Sequence, residues 1–547
     1  MTREGSALTR GEAVVLHAWH QLPPEAAALH ARLLGRKGCD FRLDKLDYED
    51  VPDPIEAAAT LVRRGFAHPR NLMPLSALLP LHTVSELRAV CRAQGWTTQG
   101  CRAQLVKRLS VPEARPYLTS PCIRVRHEGL FRRMLRVYLS NHAGDLTKVV
   151  LSEAGIQRFP SYRPTGGVGM FRNRGALLAY EDALELVRQE RTESQWAELA
   201  PVAIERVTRQ PIQPHLRSRF DARRIYSKSA IRAVRAVERQ HGPARAALHY
   251  SSLLKCNLAS AQHIALRAAL CHDRAGDPER ALELCLEGVR NAPLRAETLA
   301  LARTGKRLAR KLGVDWTPTQ RLLQPQNRTL TIPQLQDHPP LFFSPSGPAP
   351  VEKAVIARLA SEGREAIHGE SGPWIMLFGL LFYDAIFAPV AGMLPSPMMT
   401  APLDIHCPEF SNRRADQINA ALDLIASGGA PERILAMGRA HQGEQFWGAR
   451  WSMMDLDDLA QLADHVGPTA LQSLMRAFAS DPASARSGLP DLVIMPGPHP
   501  TLPHTLILAE VKGPGDQVRD NQRCWHHQLL EAGLQVELWR VVDGPAG

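Results

Sequence analysis

Two short stretches near the C-terminus carry residue types able to do chemistry together: Pro490-Asp491 in GLPDLVI, and Glu510-Val511-Lys512 at the end of the apolar run LILAEVK. Successive side chains on a strand point to opposite faces, so Glu510 and Lys512 share one face while Ala509 and Val511 share the other. The apolar pair can then be buried, and the acid and base can converge where Gly513-Pro514 turns the chain away. An antiparallel partner strand opening at Asp491 would bring a second carboxylate close to Glu510. Carboxylate oxygens are what hard divalent cations such as Mg²⁺ and Mn²⁺ take as ligands. Such a cation polarises a phosphodiester and acidifies a bound water. A nearby lysine can orient that water or stabilise the charge that develops. An E-x-K triplet alone is a common accident, and its ordinary reading is a surface ion pair; the longer string around it, from GLPDLVI through LAEVKGPGDQ, is the stronger signal.

The elements that must position these residues read as a strand DLVIM, a strand TLILAEVK, a helix QVRDNQRCWHHQLLEAG and a strand QVELWRVV. That order predicts a mixed sheet with helices on its faces. Upstream, the pattern gives a helix from about residue 351, a short strand near Ala366, a core helix over 374–387 and more helices to about 480. The segment WIMLFGLLFYDAIFAPVAGML, 374–394, is long enough to cross a membrane. Asp384 in its middle and Pro389 favour a buried core helix ending before the proline. Asp384 itself reads as a buried, hydrogen-bonded structural acid. A Pro-rich stretch at 337–353 marks the start of this α/β domain, as a linker or extended crossing.

The chain has 547 residues and a net charge of +11, drawn mainly from arginine, which favours a polyanionic partner. Its nine cysteines form no CxxC pair, so neither a zinc ribbon nor a disulfide framework is expected, and a reducing cytoplasm fits best. The polar start of the chain shows no signal peptide. Residues 1–75 read as short helices. Residues 78–110 give a helix with Leu87, Val90 and Cys91 at helical spacing, a turn at Gly95, and a second helix carrying Lys107 and Arg108 on its polar face. This pair resembles the SAP module, a small DNA-binding unit. The glycines of TGGVGMFRNRG lack phosphate-loop spacing and read as a turn. From about 195 to 335 the pattern is nearly all helical. It includes a basic run with Arg217, Arg219, Arg223, Arg224, Lys228, Arg232 and Arg235, which suits either a solvated face or a phosphate-tracking surface. Paired helices around AGDPERA resemble tetratricopeptide hairpins, without a clean 34-residue repeat.

The string LAEVKGPGDQVRDNQRCWHHQLLEAG resembles the VRR-NUC domain, a branch of the PD-(D/E)xK nucleases with a following Q-x-x-W helix, here Gln522 and Trp525. The upstream strings HGESGPWIMLFGLLFYD, SNRRADQ and HQGEQFWGARW, with the SAP-like and helical parts, are similar to the Fanconi-associated nucleases. Tyr383-Asp384 departs from that family's usual W-D. The resemblance implies a multidomain chain: mostly α in front, with a C-terminal α/β restriction-endonuclease-like mixed-sheet domain. The expected parts are an N-terminal helical region 1–75, a SAP-like region 76–190, a TPR-like helical domain 191–340 and a nuclease domain 350–547.

The same resemblance implies a metal-dependent 5′-flap endonuclease and 5′-to-3′ exonuclease acting in interstrand crosslink repair on branched or flapped duplex DNA. It implies Asp491, Glu510 and Lys512 as catalytic, and Glu370, Asp491, Glu510 and the Val511 carbonyl as holding Mg²⁺ or Mn²⁺. Gln522 would support them. Arg295, Arg223, Arg224, Lys107 and Arg108 are candidates for gripping phosphates, Arg295 for a 5′-terminal phosphate. A plain surface arginine and a plain N-terminal helix acid remain the ordinary readings of Arg295 and Glu370. A Holliday-junction resolvase and an inert branched-DNA scaffold are the alternatives. A monomer is expected, with no membrane association, located with the nucleoid in a bacterium or in the nucleus of a eukaryote.

Overall fold

The computed structural model describes residues 8–544, apart from 37, 71–72, 118–120, 140–146, 166–170, 172, 211–220, 259, 291, 319–321, 334–349, 408, 484–486 and 497–504. Most of the glycine-rich turn, Arg217, Arg219, most of the Pro-rich stretch and the bridge between the two site strands therefore lie outside the described residues. Two compact units are formed, Met1–Ala154 and Gly155–Gly547. Among the described residues, eight strands make two sheets: β1 (Asp40–Arg42), β2 (Ala67–Pro69), β3 (Cys122–Val125), β4 (Gln326–Pro333), β5 (Ala366–His368), β6 (Leu492–Ile494), β7 (Ile507–Lys512) and β8 (Gln535–Gly544).

In the first unit, β1 and β2 flank β3 antiparallel, and Leu29, Phe41, Leu61, Ile123 and Val125 close a core beneath them. The SAP-like pair forms as expected. Helices Val84–Ala93 and Arg102–Leu109 bury Leu87, Val90, Cys91, Leu105 and Leu109 in one cluster. Gly95 turns between them at φ +70°, a left-handed conformation that glycine adopts without strain. Thr83 and Glu86 cap the first helix reciprocally.

The second unit begins with paired helices running to Ala296–Leu312. Asp277 caps Pro278–Val289 by accepting from the Arg280 amide, and Gly276 supplies the turn before it at φ +89°. The helical pattern expected to about 335 stops earlier. Residues 326–333 form β4, which runs parallel to β8 over eight register pairs, from Gln326↔Glu537 to Pro333↔Gly544. The C-terminal sheet therefore recruits a strand from before the Pro-rich stretch.

That sheet has the order β4-β8-β7-β6-β5. β7 and β8 pair parallel, joined by the helix Asp520–Glu531, while β6 pairs antiparallel with β7 and with β5. The expected mixed sheet is present. Its central strand β7 is buried along its whole length. Ala509 and Val511 pack with Val355, Leu359 and Trp539, whereas Leu508 joins Val493, Phe478, Trp525 and Leu529 on the other side. Glu510 and Lys512 lie in register with Leu508, so their face is covered too.

The apolar segment is a core helix, Gly372–Leu381, buried at every residue. Among the described residues no helix is long and apolar enough to cross a membrane. The helix breaks at Phe382 and restarts as the short Tyr383–Ile386 turn. That break turns Asp384 outward: its side chain is 69% exposed and pairs with Arg433 at 2.6 Å, rather than being a buried acid. Leu508 is fully buried at the centre of the sheet. Leu508→Ala should lower the unfolding free energy by about 2–5 kcal/mol, read as a reduced midpoint in chemical denaturation.

Candidate active site

Leu492 pairs with Ala509 across β6 and β7, and one step back along that register sets Asp491 opposite Glu510. β6 ends there, so the Val511 amide has no strand carbonyl to meet. It donates instead to Asp491 Oδ2 at 2.9 Å. Lys512 Nζ lies 2.5 Å from Glu510 Oε1, 3.1 Å from the Val511 carbonyl and 3.8 Å from Asp491 Oδ2. The helix Asp520–Glu531 completes the surround: Gln522 Nε2 donates to Glu510 Oε1 at 2.5 Å, and His526 Nε2 meets Glu510 Oε2 at 3.3 Å. Glu510 is 0% exposed, and Lys512 is nearly as deeply placed. The structure thus brings Asp491, Glu510, Lys512 and Gln522 together as the sequence implied. It adds His526, which sequence reasoning missed. The signal was its position four residues after Gln522, on the same helical face.

Two carboxylates and one ammonium leave a net negative charge in a site largely removed from water. Burial first, and then the neighbouring Glu510 charge, push the Asp491 carboxyl up to about 7. A divalent cation would relieve that strain, and Mg²⁺ is commonly bound by one or two carboxylates with water and substrate oxygens completing the shell. The donor chemistry of Asp491, Glu510 and the Val511 carbonyl fits such an ion. Among the described residues no three His, Cys, Asp or Glu side chains form a metal-holding group. Glu370 is accordingly not gathered with the other carboxylates; its side chain is exposed. The residue before it is nonetheless close to the site strand. The Gly369 amide donates to the Asp491 carbonyl at 2.8 Å, and a Cβ at Gly369 would meet the Pro490 carbonyl oxygen at 2.9 Å. Glu370 precedes the Ser371 cap rather than sitting in the first helical turn.

The VRR-NUC domain family matches residues 427–543, and the family described as the FAN1 HTH domain matches residues 1–68. Relatives along most of the chain are Fanconi-associated nuclease 1 homologues. That of Arabidopsis thaliana is 27% identical, over 97% of this chain and 64% of its own length. That of Pseudomonas aeruginosa is 27% identical, over 99% of this chain and 94% of its own. The crystal structure of paFAN1 bound to 2nt 5′ flap DNA with gap superposes with a TM-score of 0.80 at 26% identity, covering 99% of this chain and 95% of that one. Along nearly its whole length the chain is similar to the Fanconi-associated nucleases. It spans about three fifths of the plant relatives' length, 64% and 59%. The VRR-NUC match implies dependence on a divalent cation. The match at 1–68 also gives an identity to a region whose sequence pattern shows only short helices.

The phosphate candidates divide. Arg223 is buried, and its guanidinium donates to the Gln210 and Cys256 carbonyls, so it staples helices and does not face a ligand. Arg108 donates to the Thr97 and Gln99 carbonyls at 2.6 and 3.2 Å, holding the turn before its own helix. For Arg223 the cause is that a basic run in sequence does not say which face the helix turns inward. Lys107 and Arg224 are exposed. With Lys228, Arg232 and Arg235, Arg224 makes an exposed basic stripe along Ala222–His241, where Arg232 also lies over the Trp196 ring. Arg295 pairs with Asp481 at 2.8 Å beside a cleft lined by Leu474, Trp525 and Gln528.

The Asp491 shift has a sign that can be measured. A carboxyl raised from 3.8 to about 7 contributes stability that is present below its unfolded value and is lost as pH rises through about 7. The melting temperature of the metal-free protein should fall between about pH 5 and about pH 8, and Asp491→Asn should flatten that slope. Added Mn²⁺ should stabilise most at the alkaline end, where the Asp491 carboxyl has lost its proton.

Proposed function

We propose that this chain is a divalent-cation-dependent, structure-specific DNA nuclease that cuts 5′ flaps and degrades from 5′ ends in interstrand crosslink repair. The observation that carries this reading is the convergence of Asp491, Glu510 and Lys512 at the end of the central strand pair, in a chain similar to these nucleases. The relation to paFAN1, whose structure holds 5′ flap DNA, supports the substrate class. In this reading the C-terminal sheet, with β4, and its helices cut, while the helical parts ahead of β4 hold and bend the duplex through phosphates, reading shape rather than sequence.

Asp491, Glu510 and the Val511 carbonyl would hold Mg²⁺ or Mn²⁺, with Glu370 as a further carboxylate from the adjacent loop. When bound, the ion activates water and neutralises charge developing on the phosphate. The chain's own contribution is positional. Asp491 is fixed by the Val511 amide, and Glu510 is fixed by Gln522 and Lys512. Lys512 presents its ammonium on the carboxylate face, where it can orient water and stabilise an oxyanion. The bidentate Arg303–Asp520 pair, 2.5 Å on both arms, ties helix Ala296–Leu312 to the first residue of the Gln522 helix. Location in the nucleoid or the nucleus, according to the host, follows from the substrate.

Lys512→Ala should reduce Mn²⁺-dependent cleavage of an end-labelled 5′ flap by about 10²–10³-fold while leaving flap binding in place. Binding with no metal-dependent cleavage by the parent would instead indicate a scaffold. The basic stripe makes a separate expectation. Replacing Arg224, Lys228 and Arg235 by glutamine should weaken binding to all duplexes alike. It should also reduce the salt slope of log K by about 0.9 for each phosphate that is no longer neutralised, measured by fluorescence anisotropy.

A further inference from the structure

We infer that His526 is a positioning residue that fixes the cation-binding oxygen of Glu510, an inference that rests on the nuclease reading of this site. Glu510 has two carboxylate oxygens. Oε1 already receives Lys512 Nζ at 2.5 Å and Gln522 Nε2 at 2.5 Å. Oε2 meets His526 Nε2 at 3.3 Å. A carboxylate only accepts, so the hydrogen of that contact is carried by Nε2. With two donors on Oε1, Oε2 is the oxygen with capacity left for a cation. The imidazole sets where that oxygen sits.

The placement is specific. Gln522 and His526 are four residues apart on the helix Asp520–Glu531, so one helical face clamps both oxygens of a single carboxylate. Neighbouring Trp525 and Leu529 turn into the apolar core. His526 is 1% exposed, and burying a ring N–H is costly without an acceptor. The acceptor provided is the one group in the site that is itself fully buried. Donors that hold ligands in place commonly change cation affinity by about 10- to 100-fold when removed. The geometry gives His526 that role toward Glu510.

The test is calorimetric titration of Mn²⁺ into the full chain, without DNA, at one pH. It compares the parent with the donorless His526→Leu and His526→Met and the donor-keeping His526→Gln. Melting curves without metal check the fold of each. The expected result is Mn²⁺ binding weakened by about 10- to 100-fold in the leucine and methionine variants, at near-parental melting temperature. Recovery of most of the affinity is expected in the glutamine variant. Parental affinity in either folded donorless variant would overturn the inference and leave the nuclease reading intact. Equal weakening in the glutamine variant would also overturn it, since packing rather than a donor would then be what the site needs. A parent that binds Mn²⁺ no better than Glu510→Gln would remove both the inference and the cation site beneath it.

Discussion

Leu492 faces Ala509 across two antiparallel strands, and that register decides where two carboxylates and an amine meet. A slip by one residue would turn Glu510 and Lys512 to the face now held by Ala509 and Val511, against Val355 and Trp539. The register is secured by apolar side chains on both faces of β7, and so by the whole core of the domain. The end of β6 at Asp491 matters equally. It frees the Val511 amide to hold a side chain where a longer strand would have held a carbonyl.

The site is a local exception to the rule that buried charges are matched. Asp491 and Glu510 share a dry position with a single lysine, and the Asp491 carboxyl rises to about 7 in consequence. Mismatch of this kind persists only when surrounding structure over-determines it, and it concentrates where ligands bind. The surround here is extensive. Glu510 is gripped from its own strand and from the Asp520–Glu531 helix, and that helix is anchored by Arg303 to the helical array. Gly369 presses the loop before the core helix onto Pro490 and Leu492.

Much of this was legible in the sequence because it rests on short-range periodicity. Alternation along LILAEVK gave the charged face, and the unbroken apolar run after Pro373 gave the core helix. The elements that were not legible depend on contacts remote in sequence. β4 is a brief alternating stretch after a helical region, and only its pairing with β8, some two hundred residues on, makes it part of the sheet. Asp384 looked buried because a helix through 374–387 would have kept it inside; the break at Phe382 rotated it to Arg433. Arg223 and Arg108 looked free because their carbonyl partners lie in turns that no periodicity marks. His526 was hidden among ordinary helix residues, and only its helical phase relative to Gln522 set it apart.

The most direct measurement is a crystal of the full chain carrying Lys512→Ala, grown with Mn²⁺ and a 5′-flap duplex, with anomalous data collected at the manganese edge. A manganese peak about 2.0–2.2 Å from carboxylate oxygens of both Asp491 and Glu510 is expected. The scissile phosphate of the flap should sit beside it. Manganese bound elsewhere, with Asp491 and Glu510 still holding only protein donors and no phosphate near them, would contradict the site.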